Sequence, residues 1–158
     1  DEIGFNYRMN EFSAAIALAQ CERVNFFVKN RRRSANSLIK ILKNNEHLIP
    51  QKISNKAYST YYTLAVRLVT TGKKKVSWYN FRKKFMKFGG DGIYAASKLI
   101  QQERAIKKYN IGRKSNETPV AKKLQKELLL FTTNQGSQKE INIQTQALKK
   151  TINFFKLY

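Results

Sequence analysis

The sequence has little of several residues that mark common protein classes. Its 158 residues include one cysteine, two prolines and one histidine. A single cysteine, Cys21, excludes an internal disulfide framework and is compatible with a reducing compartment, so we expect a cytoplasmic protein. The lone histidine, His47, has no neighbouring group of Asp, Cys or Ser residues. The sequence therefore predicts no metal site and no catalytic histidine.

Long apolar runs are also missing. No run reaches the length of a transmembrane helix, and no signal peptide opens the chain, so we expect no membrane association. The chain begins with Asp1 rather than methionine, which fits a fragment, although processing could also explain it. A length of 158 residues leaves room for one domain with a real core.

Acidic residues are scarce. The chain has 10 Asp and Glu residues against 31 Lys and Arg, a net charge of +21. Such a charge is typical of proteins that bind nucleic acid or an anionic surface. The basic residues are nevertheless spread over several predicted elements and accompany no recognition motif. We therefore expect no dedicated nucleic-acid role.

The residues that are present predict alternating helices and strands. Helical spacing predicts a helix over 26–44, where at least one arginine of Arg31–Arg33 must face solvent. Period-two alternation predicts a strand from Tyr58 to Leu68. A helix capped by Ser77 then carries an aromatic stripe, followed by a glycine turn and a short strand from Ile93.

Beyond this strand we expect an irregular connection over 103–117. Thr118 and Pro119 have the side chains of a helix cap and a first helical position. The last helix follows Ser137.

The stretch from Gly4 to Gln20 is the most distinctive part of the chain. Gly4 allows backbone angles closed to other residues, and Asn10 is a reasonable helix N-cap. Glu11 follows at the positive end of the predicted helix. Four alanines between positions 14 and 19 permit close packing against another element. From the residues alone, this is a polar loop leading into a buried helix.

As a whole, this stretch resembles the DegT/StrS-type sugar aminotransferases. It reads Gly-x-Asn-Tyr-Arg-Met-x-Glu-x-x-Ala-Ala-Ile-x-Leu-Ala-Gln. The similarity continues through Cys21–Val24 to the helix with Arg31–Arg33, and more loosely to the chain end. These proteins are pyridoxal-phosphate (PLP) enzymes of the aspartate-aminotransferase fold, and in them the motif lies after the midpoint of the chain.

The resemblance implies an α/β (α+β) fold class: the C-terminal small domain of a fold-type-I PLP aminotransferase, with a short sheet packed with helices. Residues 1–25 are expected to form an interdomain loop and helix, and residues 26–158 the C-terminal α/β domain. The N-terminal PLP-binding domain is expected to be absent. Family members often carry Pro and His after the strand that here begins at Ile93, and Ser97–Gln102 carries neither.

The resemblance also implies the site. Asn6, with Arg8 beside it, is expected to bind the cofactor phosphate of the neighbouring subunit, since a carboxamide N–H can donate to a phosphate oxygen. Whether Arg8 adds charge or braces the loop stays open. No catalytic residue is assigned, because the lysine that forms the Schiff base with PLP belongs to the part expected to be missing.

The implied function is transfer of an amino group, with glutamate as the expected donor, onto a keto-sugar nucleotide. The implied assembly is a homodimer whose active site is shared between subunits. Three alternatives stay open: a non-catalytic family member acting as a regulator, a basic nucleic-acid-binding module, and a standalone structural domain. The keto-sugar and the aminated carbon cannot be read from the sequence.

Overall fold

Helices pack on a small antiparallel sheet in the computed structural model, which describes residues 7–72, 75–109 and 118–158. The α-helices of this part are α1 (Glu11–Glu22), α2 (Val24–Leu42), α3 (Trp78–Lys87), α4 (Arg104–Lys108), α5 (Pro119–Glu127) and α6 (Gln138–Phe155), with a 3-10 turn at Ile100–Gln102. The strands are β1 (Leu48–Pro50), β2 (Thr63–Leu68), β3 (Ile93–Ala95) and β4 (Leu128–Thr132). The predicted fold class, a short sheet packed with helices, is confirmed.

Strand β4 lies inside the sheet, whose order is β1-β2-β4-β3. All three pairings are antiparallel, and Phe131 is aligned with Leu64 on one side and Ile93 on the other. Successive side chains of a strand point to opposite faces. Leu64, Phe131 and Ile93 therefore share one buried face of the sheet.

The core lies between that face and helices α2, α3 and α6. Phe85 of α3 meets the Phe131 ring edge to face, with ring centroids 5.4 Å apart. Offset and edge-to-face arrangements are the preferred ones for aromatic pairs. Buried aliphatic residues from the other elements complete the core: Ala35, Leu38, Leu42, Leu48, Val66, Leu68, Leu129, Ala147, Leu148, Ile152 and Leu157.

Several predicted elements are confirmed, with small shifts of their ends. Asn10, Ser77 and Ser137 each cap a helix with a side-chain oxygen that accepts from a backbone amide. In the predicted aromatic stripe, Phe81 and Phe85 are buried. Sequence periodicity therefore identified the buried face of α3.

Other predictions were wrong. Strand β2 begins at Thr63 and not at Tyr58, since the preceding residues are held by contacts from α2 instead of by a neighbouring strand. Strand β4 was not predicted, because its apolar run follows α5 with no intervening residue. Helix α4 occupies part of the connection expected to be irregular; residues 110–117 of that connection lie outside the described residues.

The predicted start of α5 is confirmed in position, with Thr118 as the N-cap residue, but not in the expected side-chain bond. Helix α5 does begin with Pro119, but Thr118 makes no side-chain cap hydrogen bond. Its hydroxyl instead accepts from the side-chain amide of Gln101. The threonine thus ties the helix start to the 3-10 turn rather than satisfying the first amides of α5.

The turn from α3 into β3 depends on glycine for two different reasons. Gly89 has a φ of +91°, a conformation that favours glycine. A Cβ atom on Gly90 would lie 2.2 Å from Cε1 of the buried Phe85 ring. A Cβ atom on Gly92 would have no such neighbour within 4 Å, and the φ of Gly92 lies outside the left-handed region.

We expect Gly90→Ala to lower the free energy of unfolding by roughly 1–3 kcal/mol, because the added methyl group must displace the Phe85 ring from a packed core. Gly92→Ala is the matched control and should change stability by no more than about 0.5 kcal/mol. Urea unfolding followed by circular dichroism measures both. Equal stability of the two variants would contradict the close approach at Gly90.

Candidate functional site

The loop before α1 contains Arg8, which is the one predicted site residue that lies in the described part of the chain. Tyr7 to Asn10 are exposed, and Arg8 precedes the first residue of α1 by three positions. Asn10 Oδ1 accepts from the Ser13 amide at 2.9 Å. Asn6 lies outside the described residues, so the structure does not test its predicted role. An anion approaching this loop can reach the Arg8 guanidinium.

Helix α1 exposes most of its apolar side chains. The exposed fractions are 86% for Phe12, 66% for Ile16 and 62% for Leu18, and no residue of α1 is buried within the described structure. Within the described residues, α1 is therefore not the buried helix that the residues alone predicted, and packing of its alanines against a further element stays a prediction. The main contact of α1 among the described elements is with α2, and at their junction the Arg23 guanidinium lies 4.9 Å from the centroid of the Phe27 ring. Its apolar surface is available to another element.

Two arginines of α2 hold the segment that precedes β2. Arg31 Nη1 donates to the Tyr62 carbonyl at 2.9 Å, and Arg32 Nη1 donates to the Ser59 carbonyl. Each guanidinium also lies over a tyrosine ring: Arg31 over Tyr62, and Arg32 over Tyr58 at 4.0 Å. The third arginine, Arg33, is exposed, so the prediction that at least one of the three faces solvent is confirmed.

Beside Arg31 the structure forms a small polar cleft of about 120 Å³. Its lining comes from α2, the ends of β2 and β4, and the middle of β3: Arg31, Tyr62, Thr63, Tyr94, Thr132, Thr133 and Asn134. Every lining side chain has a hydrogen-bonding group, and none is a carboxylate. Sequence reasoning missed this cleft, since only the arginine triplet marked it and the antiparallel pairing with β4 was not predicted.

One wall of the cleft is fixed by buried hydrogen bonds. The Thr133 hydroxyl, fully buried, donates to the Tyr61 carbonyl and accepts from Arg31 Nη1 at 3.4 Å. Gln135, two residues further on, is 3% exposed, and its Nε2 donates to Asp91 Oδ2 at 2.8 Å. Its Oε1 accepts from the Ser34 hydroxyl of α2. Buried polar groups with all partners in place hold a single arrangement.

The basic residues have few acidic partners. Arg67 and Glu127, 2.8 Å apart, form the only ion pair found in the described part of the chain. Among the same residues, no group of three or more His, Cys, Asp or Glu side chains could hold a metal ion. None of the helices described is long and apolar enough to cross a membrane.

Comparison with known proteins identifies the family. The model of the DegT/DnrJ/EryC1/StrS aminotransferase family matches residues 1–143. The chain belongs to this family. A search of curated proteins finds no significant match.

Several solved structures share the fold. An aminotransferase from Psychrobacter cryohalolentis superposes with a TM-score of 0.81 at 20% identity, over 99% of this chain and 42% of that one. PseC of Helicobacter pylori, an aminotransferase of pseudoaminic acid biosynthesis, gives 0.72 at 19% identity, over 98% and 40%. GDP-4-keto-6-deoxy-D-mannose-3-dehydratase of E. coli, with bound hydrated PLP, gives 0.66 at 19%, over 92% and 36%. The chain thus spans about two fifths of their length.

We expect α1 to be the least protected long helix in hydrogen exchange. An isolated helix of this length is marginal in water, so its amides should open with about 1 kcal/mol or less, whereas amides of Ala35–Leu42 should approach global stability. Asn10→Ala, which removes the cap, should speed exchange in α1 alone; Asn36→Ala on the exposed face of α2 is the control. Protection of α1 equal to that of α2 would contradict the exposed packing.

Proposed function

We propose that this chain is the C-terminal part of a PLP-dependent aminotransferase that moves an amino group, with glutamate as donor, onto a keto-sugar nucleotide in the cytoplasm. The observation that carries the proposal is the family match over residues 1–143, which includes the loop before α1. The fold shared with aminotransferases from P. cryohalolentis and H. pylori supports it. Because the chain spans only part of those proteins, the activity is proposed for the whole enzyme.

The exposure of helix α1 supports a larger assembly in which other polypeptide covers this helix. Exposed patches of large apolar side chains mark surfaces that other protein covers. Phe12 and Ile16, four positions apart, lie on one face of α1 and Leu18 lies on the opposite face, so apolar side chains are exposed on two sides of this helix, and Arg8 lies at its amino-terminal end. We propose that further parts of the enzyme and its homodimeric partner cover α1, so that the active site is shared between subunits and residues 1–25 connect the domains.

The residues near α1 fit a phosphate-bearing cofactor. A guanidinium is suited to phosphate, and Arg8 is exposed next to a helix N-terminus, where the peptide dipoles also favour anions. Asn6 would add a carboxamide donor. PLP supplies the electron sink for amino transfer. Asn6 and Arg8 would hold its phosphate, while the lysine and the acidic partner of the ring would come from outside this chain.

A second reaction is compatible with the same fold. One matched structure is a 3-dehydratase of a keto-sugar nucleotide, and it contains PLP. Both reactions start from a carbonyl-bearing sugar nucleotide, but amino transfer leaves the nitrogen of glutamate on the sugar, whereas a reaction that yields a deoxysugar releases that nitrogen as ammonia. Incubating the full-length enzyme with keto-sugar nucleotides and glutamate separates them. Formation of an amino sugar with equimolar 2-oxoglutarate supports the proposal, whereas ammonia release and a deoxysugar support the dehydratase.

For the cofactor site, we expect Asn6→Ala in the full-length enzyme to weaken PLP retention about ten- to a hundredfold, as expected when one hydrogen bond to a charged group, worth roughly 1.5–3 kcal/mol, is lost. Equilibrium dialysis against PLP measures the change. Asn36→Ala replaces an exposed asparagine of α2 and should leave retention unchanged.

A subunit-mixing experiment tests whether the contact crosses the dimer. Asn6→Ala chains are mixed with chains that lack the PLP-binding lysine, so that one site of each mixed dimer combines an intact lysine with an intact Asn6. Activity should partly return. Verified subunit exchange with no gain over the parent variants would show that Asn6 serves the site of its own subunit.

A further inference from the structure

We infer that the polar cleft beside Arg31 binds the diphosphate of the sugar nucleotide, a role that rests on the proposed function. The cleft lies between Arg31 of α2, the ends of β2 and β4 and the middle of β3. It is distinct from the loop before α1 that is proposed to hold the cofactor. The inference rests on the donors, the charge, the size and the rigidity of this cleft.

The donors and the charge favour an oxyanion. A guanidinium has five N–H donors in a planar fork that matches phosphate oxygens. Within the described structure, Arg31 uses only Nη1, for Tyr62 and Thr133, which leaves Nη2 and Nε to donate elsewhere. The lining supplies further hydroxyl and amide donors and contains no carboxylate that would repel an anion.

The size of the cleft favours one polar group of a larger ligand. Sites that enclose a complete small ligand have volumes of about 300 Å³ or more. At about 120 Å³, this cleft can take a diphosphate but not a whole nucleotide. Tyr62 and Tyr94 line it and are 77% and 64% exposed, so each offers a ring face outside the cleft. Exposed aromatic rings suit the stacking of a base or a sugar that extends from the phosphates.

Rigidity distinguishes the cleft from the lysine-rich surface elsewhere. Arg31 is held by the Tyr62 carbonyl and ring and by the buried Thr133 hydroxyl. A side chain fixed in this way loses little conformational freedom when a ligand arrives. Solvated lysines, by comparison, must be ordered by the anion that they bind.

The test uses the 158-residue chain and inorganic pyrophosphate, followed by ¹H–¹⁵N NMR titration and calorimetry. We expect saturable binding with shifts of the Arg31 Nε and of the Tyr94 and Asn134 amides. Arg31→Gln should weaken the affinity about tenfold or more, as expected for lost hydrogen bonds to a charged group. Arg33→Gln removes an equal charge from an exposed neighbouring position and should change the affinity by about twofold at most.

Because Arg31 also holds the segment before β2, a second variant separates binding from folding. Tyr94→Phe removes only an exposed hydroxyl and should weaken pyrophosphate binding about threefold or more with unchanged stability. Equal effects of Arg31→Gln and Arg33→Gln, or titration without saturation, would overturn the inference in favour of diffuse attraction to a cationic surface. Tighter binding of glutamate than of pyrophosphate at the same residues would overturn the diphosphate assignment and indicate the carboxylate of the amino donor.

The experiment distinguishes a failure of this inference from a failure of the proposed function. Pyrophosphate binding is measured without turnover, so an inactive full-length enzyme with an intact cleft would refute amino transfer alone. An active enzyme in which Arg31→Gln leaves the KM for the sugar nucleotide unchanged would refute only the assignment of the diphosphate to this cleft.

Discussion

Antiparallel pairing of β4 with both β2 and β3 is the interaction on which the rest of the structure depends. Through it, Phe131 is placed opposite Leu64 and Ile93, and the helices have a continuous apolar face to cover. The same register places Thr132 opposite Thr63 and carries the chain on to Thr133 and Gln135. The core and one wall of the cleft therefore depend on the same set of backbone hydrogen bonds.

That strand also shows where sequence reasoning stops. Helix caps at Asn10 and Ser77 could be predicted because each depends on a side chain and an amide three residues away. The run Leu128–Phe131 has no such local signal, since it follows α5 directly and its apolar residues continue the pattern of the helix. Only its partners in the sheet, distant in sequence, make it a strand.

Some features of the candidate site could likewise be predicted from local sequence, and others could not. The motif from Gly4 to Gln20 could be recognised from its residue types, and it led to the family that the chain comparison identifies. The role of Asn6 remains a prediction. The functions of Arg31 and Arg32 could not be read from three consecutive arginines, because their partners are carbonyls and rings about thirty residues away. Contacts with residues distant in sequence determine whether an arginine side chain stays in solvent or stabilises the fold.

Helix α1 has one more consequence. Cys21, the only cysteine of the sequence, lies in its last turn and is exposed. In the 158-residue chain, a fluorophore or spin label attached to this thiol would occupy a single defined position. Its mobility and solvent accessibility would report directly on whether other polypeptide covers the helix, and, in a symmetric assembly, the separation of two such labels would measure how the two copies are arranged.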